Sequence, residues 1–280
     1  MNNVVRNLLL LTVLSLGFVS CGSYAKLLKS GDNEQIYQSA LQAFREKRND
    51  KAITLFSSVE RYYEGTSRDD TIKFFTAASY FRRGDFYTSD ELLQTFRRTF
   101  LNRTVFMEEA EYMIAMGYYF LSPEPKLDQS TTMMAISQFY EYLARYPNST
   151  KYDDIMGYIA ELQQKLYDKS FLNAKLYYDI GYYKSAIHTF KIALSEYPET
   201  TRREDILYYL TKSSFILADN SVEDLQRGRY LEMIDHYYNL ISEYPETKYL
   251  KETTEMYDKV MIIIKDRYDE TIEMPDGTVE

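Results

Sequence analysis

One hexapeptide recurs along the chain and constrains its fold more than any other feature. SEYPET occupies 195–200 and again 242–247, and the related ARYPNST occupies 144–150. Twelve residues before each proline stand Ala135, Ala186 and Met233, followed by apolar or aromatic residues one, four and eight positions on and by tyrosine eleven positions on. These positions share one face of an α-helix, and proline then ends the helix because it has no N–H to donate. The chain is therefore predicted to be an array of repeated helices.

We call Ala135, Ala186 and Met233 the anchors of their copies. The same spacing identifies two weaker copies with anchors at Ala52 and Ser89, and consecutive anchors among the five lie 37 to 51 residues apart. A glycine stands five residues before three anchors (Gly84, Gly181, Gly228), and an alanine stands twelve residues before three (Ala40, Ala77, Ala174). Glycine favours a helix end with a tight turn, and alanine permits close helix approach. Ser67, Thr150 and Thr201, each with an acid three residues on, are predicted to cap the following helices. Each unit is predicted to be helix, turn, helix.

This pattern resembles the tetratricopeptide repeat (TPR). It predicts an all-α fold, a right-handed superhelical array of about five TPR-like hairpins with a C-terminal capping helix. The predicted repeats span residues 34–66, 67–104, 105–150, 151–201 and 202–248, with the cap at 249–269 and a flexible acidic tail at 270–280. Segments 122–131 and 219–227 are expected to be loops inserted between the two helices of a hairpin, and the first helix of the fourth repeat is expected to be long.

The first residues have a different composition. Arg6 precedes an apolar run, Leu8–Val19, which is too short to span a bilayer and has the proportions of a secretory signal. The run ends at Ser20-Cys21, and Cys21 is the only cysteine in the chain. We expect a lipoprotein signal peptide at 1–20, a lipid on Cys21 and a linker at 21–33; the alternative is an ordinary signal peptide that happens to contain a cysteine. The residues after Cys21 favour the periplasmic face of the outer membrane.

Composition argues against several kinds of chemistry. The net charge is −9 and no basic face is evident, so nucleic-acid binding is not expected. The two histidines, His188 and His236, lack partners at metal-ligand or catalytic spacing and are predicted to be exposed or partly packed on second helices. Pairs of adjacent acidic residues are typical of solvent-exposed helix starts. We predict no catalytic residue, no metal and no cofactor, and the chain is not expected to be an enzyme.

Contact residues are sought among the tyrosines and arginines. The chain has 29 tyrosines and no tryptophan, and most tyrosines should pack between helices. Those off the anchor face are predicted to line a concave surface for peptide or protein recognition: Tyr118, Tyr119, Tyr178 and Tyr209. Arg202 and Arg203 stand at a predicted helix start, where the macrodipole disfavours cations. They are either solvated or in contact with a partner protein.

The segment 108–155 carries a further resemblance, through AEYMIAMGYY, Asp128-Gln129 and YPNS followed by Tyr152. Together with KLYDKSFLNAKLYYDIGYYKSAI at 165–187, it resembles the BamD family of outer-membrane protein assembly factors, in a form typical of the Bacteroides group. The resemblance implies a lipid-anchored subunit of the barrel assembly machine at the periplasmic face of a Gram-negative outer membrane. Its implied partners are a BamA-like barrel protein, possible further subunits and unfolded outer-membrane proteins awaiting insertion.

Two other classes stay open. One is a TPR lipoprotein that organises other envelope proteins, such as enzymes of peptidoglycan turnover or components of an uptake system. The other is a glycan-binding lipoprotein of a nutrient-uptake system, against which the short chain and the absence of tryptophan both count.

Overall fold

The computed structural model describes residues 25–101 and 103–268, and within these ranges it contains helices and turns but no strand. Residues 25–30 are helical, and the helices that follow are α1 (Asn33–Arg45), α2 (Asn49–Tyr63), α3 (Asp69–Arg82), α4 (Phe86–Phe100), α5 (Met107–Leu121), α6 (Ser130–Arg145), α7 (Tyr152–Asp179), α8 (Tyr183–Glu196), α9 (Arg203–Asp219), α10 (Glu223–Glu243) and α11 (Leu250–Tyr268). The predicted signal peptide, Cys21 with its lipid and the acidic tail at 270–280 lie outside the described residues.

Consecutive helices pair as hairpins, from α1 with α2 to α9 with α10, and α11 packs on the last pair. This confirms the predicted all-α, TPR-like array with a C-terminal helix. The chain divides into two compact units. Unit 1 runs to Ser122 and includes Ser130–Tyr158; unit 2 comprises Pro123–Gln129 and the chain from Ile159.

The repeat anchors form the core of the hairpins, as their spacing predicts. All five are buried: Ala52, Ser89, Ala135, Ala186 and Met233. The predicted small residues of the first helices are buried too: Ala40, Ala77 and Ala174. The close approach is visible where the Ser89 hydroxyl donates to the Ala77 carbonyl at 3.0 Å. Small residues thus bring the two helices of a hairpin into contact, and aromatic residues four positions after most anchors fill the space beside them.

The turns within hairpins follow the glycine prediction in two of three cases. Gly84 and Gly181 have φ values of +83° and +80°, the left-handed region in which glycine meets no Cβ clash. The prediction for Gly228 is wrong, because α10 begins at Glu223 and contains this glycine. The predicted inserted loop at 219–227 is accordingly mostly helical, with only residues 220–222 outside a helix, whereas the insertion at 122–131 is a loop through residue 129.

The predicted caps at Ser67 and Thr201 are wrong, because Arg68 and Arg202 occupy the N-cap positions of α3 and α9 and neither makes a side-chain capping bond. The hydroxyl one residue before each predicted cap, Thr150 included, instead accepts a backbone N–H within the turn, for example from Arg68 to Thr66 at 3.3 Å and from Arg202 to Thr200 at 3.2 Å. At the turns that join one repeat to the next, hydroxyl groups also donate to carboxylates on the first helix of the preceding repeat. We call these bonds inter-repeat links: Thr104 to Asp70 at 2.7 Å, Ser149 to Glu108 at 2.9 Å and Thr247 to Glu204 at 2.6 Å.

Two further predictions about helix length and orientation are confirmed. Helix α7 has 28 residues and is the lengthened first helix of the fourth hairpin. On α11, Val260 and Ile264 are buried, with Met256 and Ile263 partly buried against the same cluster. Tyr257 completes this inward face, and its ring packs parallel to that of Tyr237 with 4.6 Å between centroids.

Candidate functional site

An apolar groove in unit 1 is the clearest candidate for binding a partner. It lies where the first helices of the first three hairpins, α1, α3 and α5, come together, and its volume is about 370 Å³. We call it the unit 1 groove and define it by its lining residues: Phe44, Phe74, Phe75, Ala78, Phe81, Arg82, Glu109, Tyr112, Met113, Met116 and Phe120. A concave, mostly apolar surface with a few polar groups is the usual form of a binding site.

Aromatic rings hold the walls of the unit 1 groove in place. The Phe44 and Phe75 rings lie 4.5 Å apart between centroids and join α1 to α3. Phe120 stacks on Phe86 at 5.0 Å and is 51% exposed at the surface. Met113 and Met116 line the groove from α5. Unbranched methionine side chains change rotamer easily, so this wall can adapt to apolar groups of different shape.

Arg82 is the cation of the unit 1 groove. Its guanidinium carbon lies 3.7 Å from the centroid of the Phe44 ring, and Nη1 donates to the Phe44 carbonyl at 3.1 Å. Burial lowers the pKa of Arg82, although the group keeps its charge at neutral pH. No carboxylate within salt-bridge distance of Arg82 is found among the described residues. The groove therefore offers a fixed positive charge beside aromatic walls.

Glu109 and Tyr112 make the polar part of the lining. Glu109 forms a 3.1 Å ion pair with Lys151, whose ammonium also lies 5.0 Å from the centroid of the Tyr112 ring. Burial raises the pKa of Tyr112 to about 12, and a hydrogen bond to Tyr158 acts in the same direction, so its hydroxyl stays protonated at neutral pH. Both polar side chains are thus engaged within unit 1, and the groove can hold apolar side chains while Arg82 binds a polar group of a ligand.

The predicted contact residues Tyr118 and Tyr119 stand beside the groove and do not line it. The Tyr118 hydroxyl donates to Asp90 at 2.9 Å, and burial raises its pKa to about 12. The Tyr119 ring packs against those of Tyr158 and Phe139, at 4.8 and 6.4 Å between centroids. Both tyrosines are partly buried in the packing of unit 1, which is the ordinary structural use of a tyrosine.

In unit 2 the structure brings Tyr178 and Tyr209 together. Their ring centroids lie 4.9 Å apart, and Tyr209 stacks on the buried Phe190. Both are partly buried against the core of this unit. Neighbouring groups extend the cluster into what we call the unit 2 network: Lys212 donates to the Tyr208 hydroxyl at 2.9 Å and pairs with Glu252 at 2.8 Å. Helices α7, α9 and α11 are thereby joined.

Arg202 and Arg203 also act within unit 2. Arg202 pairs with Asp168 of α7 at 2.6 Å, and Arg203 makes two bonds to Glu243 of α10, at 2.5 and 2.8 Å. These carboxylates raise the pKa of both arginines. The charges that oppose the α9 macrodipole are thus neutralised by side chains of the preceding hairpin and of α10, and an external partner is not needed to explain them. Their proposed partner contacts stay a prediction.

His236 differs from its prediction, since it is 6% exposed and lies in a recess of about 600 Å³ in unit 2. Nδ1 lies 2.8 Å from the Ser214 hydroxyl. Burial, reinforced by the nearby Lys191, lowers the pKa of His236 to about 4. The imidazole is therefore neutral at neutral pH. His188 is exposed on α8, as predicted.

The described residues show no grouping of three or more histidine, cysteine or acidic side chains suited to a metal ion. In the same part of the chain, the helices are too short or too polar to cross a bilayer. The sequence did not predict the unit 1 groove. The available signal was α5 (Met107–Leu121), which is apolar on most of its circumference, as helices with two packed faces are.

Comparisons with known proteins extend these observations. Residues 29–226 match the YfiO family, described as an outer membrane lipoprotein. The outer membrane protein assembly factor BamD of Rickettsia prowazekii (strain Madrid E) is 22% identical over 183 residues, which cover 65% of this chain and 72% of that protein. Among solved structures, the TPR2AB-domain:pHSP90 complex of yeast Sti1 covers 81% of this chain and 98% of its own at 14% identity, with a TM-score of 0.38. The P58(IPK) TPR domain covers 88% of this chain and 69% of its own at 15% identity, with a TM-score of 0.39.

Proposed function

Because the YfiO match spans most of its length, this chain belongs to that family of outer membrane lipoproteins, and we propose that it is a subunit of the β-barrel assembly machine. In this role it docks on a BamA-like barrel protein and helps to recognise, fold and insert outer-membrane proteins. The similarity to a BamD assembly factor supports the proposal. The work is binding and positioning, and no catalytic step is assigned to the chain.

The proposed location is the periplasmic face of the outer membrane, with a lipid on Cys21. A cysteine that follows an apolar run of this length and one small residue is the attachment pattern of bacterial lipoproteins, and Cys21 is the only cysteine in the chain. More than one acyl chain on the residue would anchor it stably, whereas a single chain is marginal.

The observation that carries the proposed substrate role is the unit 1 groove. Unfolded outer-membrane strands arrive extended, with alternate apolar side chains that include aromatic residues. Phenylalanine and methionine walls accept such side chains without demanding one sequence, while Arg82 can bind a backbone carbonyl or a carboxylate. A site of this kind releases its ligand readily, because few of its contacts are specific.

The assembly role is tested by purifying the tagged, lipidated protein from its native envelope in mild detergent, with mass spectrometry of what accompanies it. We expect a stoichiometric barrel protein with periplasmic repeat domains. A preparation dominated by cell-wall enzymes or by an uptake transporter would assign the chain to a different scaffold and reject the proposal.

The groove is tested by photo-crosslinking from a benzoyl-phenylalanine placed at Phe120, in the presence of an unfolded outer-membrane protein. Tyr140 on α6 is the matched control, because it is 47% exposed against 51% for Phe120 and does not line the groove. We expect adducts from position 120, and we expect Phe120→Asp but not Tyr140→Asp to weaken substrate binding. Equal crosslinking from both positions would show that the groove is not the substrate-binding site.

A further inference from the structure

The turn between α4 and α5 exposes apolar side chains to solvent. Leu101 is 65% exposed and Val105 is 89% exposed. Leu101 also adopts a φ of +40°, a left-handed conformation that is unfavourable for a residue with a Cβ. The left-handed conformation ends α4, where the Leu101 N–H donates to the Arg97 carbonyl at 3.3 Å, but packing within unit 1 does not explain why both side chains are exposed. Strained, exposed apolar residues of this kind are commonly kept for a contact outside the chain.

Arginines flank these two side chains. Arg98 and Arg103 are both exposed, and within the described part of the chain neither lies in an ion pair. The Arg98 guanidinium donates only to Thr95 of its own helix, at 3.1 Å. The next carboxylates along the chain are already engaged, Glu108 by Tyr142 and Ser149 and Glu109 by Lys151. In a chain with a net charge of −9, this turn therefore carries two arginines that no carboxylate of the described residues pairs with.

The same edge of unit 1 carries the N-terminal end of the described chain. Residues 25–30 form a helix whose Leu27 and Leu28 pack against the unit 1 core. The start of α1 is joined to the start of α3 by Arg68, which donates to Glu34, and α3 is joined to the α4–α5 turn by the bond from Thr104 to Asp70. The starts of α1, α3 and α5 are thus linked in a row by these side-chain bonds.

Chain length limits how far a lipid on Cys21 can lie from this edge. Cys21 stands four positions before Ala25, and a peptide chain spans at most about 3.6 Å per residue, so the two residues are at most about 14 Å apart. A lipid on Cys21 would hold this edge of unit 1 close to a bilayer. Further basic side chains, Lys26 and Lys29, are exposed on the same terminal helix.

We propose that the patch formed by Arg98, Leu101, Arg103 and Val105 contacts the membrane surface, with the two apolar side chains in the interfacial region and the arginines on lipid phosphates. The combination of a few apolar side chains with flanking cations is what such binding requires. The inference rests on the proposed lipid anchor. The inference adds an orientation to the anchor, because a lipid and a second contact together determine which edge of unit 1 faces the bilayer.

The patch is tested in the lipidated full chain, reconstituted into vesicles of phosphatidylethanolamine and phosphatidylglycerol. With Cys21 acylated, Val105→Cys supplies the single reactive thiol for an environment-sensitive fluorophore. The matched control is Tyr87→Cys, which is 75% exposed at the other end of α4, about 20 Å away. We expect nitroxide-labelled lipid to quench the probe at 105 several-fold more strongly than the probe at 87.

Charge reversal tests the arginines. Arg98→Glu with Arg103→Glu should reduce quenching at 105 to the level at 87, since each arginine near an anionic surface contributes about fivefold to affinity. Arg45→Glu with Arg48→Glu, at the turn between α1 and α2, should leave it unchanged. Equal quenching at 105 and 87 in a chain that floats with the vesicles would overturn the patch and keep the anchor. A chain that does not float would refute the anchor and the inference with it. A patch that crosslinks to a protein in the envelope but is not quenched by lipid would be a protein contact, against the proposal.

Discussion

The two units use the same hairpin core and differ on the face formed by the first helices. In unit 1, α1, α3 and α5 leave a groove lined mostly by phenylalanine and methionine. In unit 2, side chains of α7, α9 and α11 bond to one another, and the Tyr208 and Tyr249 rings stack at 3.7 Å. The comparison shows that the repeat pattern determines only the core of the hairpins. Whether the face of the first helices is available to a ligand depends on residues outside that pattern.

The largest expected effect concerns the hairpin core that both units contain. Phe56 and Phe190 stand four residues after their anchors, in α2 and α8, and both are fully buried. Replacing either by alanine should lower the free energy of unfolding by about 3–5 kcal/mol, through lost burial and the cavity left behind. Urea denaturation followed by circular dichroism measures this loss, with the exposed His188→Ala on α8 as a control expected to change it by less than about 0.5 kcal/mol. A marked loss from only one of the two phenylalanines would show that the cores are not equivalent.

A second effect should appear in unit 2 alone. His236 has a folded pKa of about 4, below its ordinary value near 6.5, because burial disfavours the imidazolium. Its stabilising contribution is therefore complete above about pH 6.5 and is lost as the pH falls towards 4, by up to about 3 kcal/mol. Stability measured across this window should fall less steeply in His236→Gln than in the unsubstituted chain. The same slope in both proteins would assign the acid sensitivity to other groups.

A smaller effect should separate the two arginine environments. Arg203→Met breaks a partly exposed bidentate pair with Glu243, and the free energy of unfolding should fall by about 1 kcal/mol. Arg82→Met removes a cation without a carboxylate partner and should change stability less, while it weakens substrate binding in the unit 1 groove. Calorimetric unfolding and crosslinking yield, measured on both variants, give the comparison. The expected difference would be contradicted if Arg203→Met weakens substrate binding and Arg82→Met does not.

The smallest effect concerns backbone strain in unit 1. Leu101→Gly relieves a left-handed leucine and should raise the free energy of unfolding by about 0.5 kcal/mol. Lys47→Gly, at a φ of +59° in the turn between α1 and α2, is the matched change and should give a similar gain. Only Leu101→Gly should also reduce lipid quenching at position 105. A loss of stability at Leu101 would mean that its side chain packs favourably despite the strain.

The core was predictable because its information is repeated and local. Anchors such as Ala135 and Ala186 follow from helical spacing alone. The unit 1 groove was not predicted, because Phe44, Phe75 and Met116 belong to the first helices, where only the small residue twelve positions before the anchor was recognised as recurrent. Partners distant in sequence explain the other differences: His236 meets Ser214 across a hairpin.

The arginines and tyrosines show the same limit. Arg202 and Arg203 are unfavourable in a local view of the α9 start, yet Asp168 of the preceding hairpin and Glu243 of α10 neutralise them. Tyr178 and Tyr209 were assigned to a concave surface because they lie off the anchor face. That face of the helix meets the next hairpin, so the two rings pack against each other.

The inter-repeat links have a consequence for how the chain acquires its structure. The bonds from Thr104 to Asp70, from Ser149 to Glu108 and from Thr247 to Glu204 span 34, 41 and 43 residues, and each closes as soon as the following turn is in place. Contacts over such short stretches of sequence have a small loop-closure entropy and favour fast folding. Each hairpin can therefore be secured as it emerges, in order from the amino terminus. A chain threaded across a membrane in an extended state would then regain its structure progressively, without waiting for its last helix.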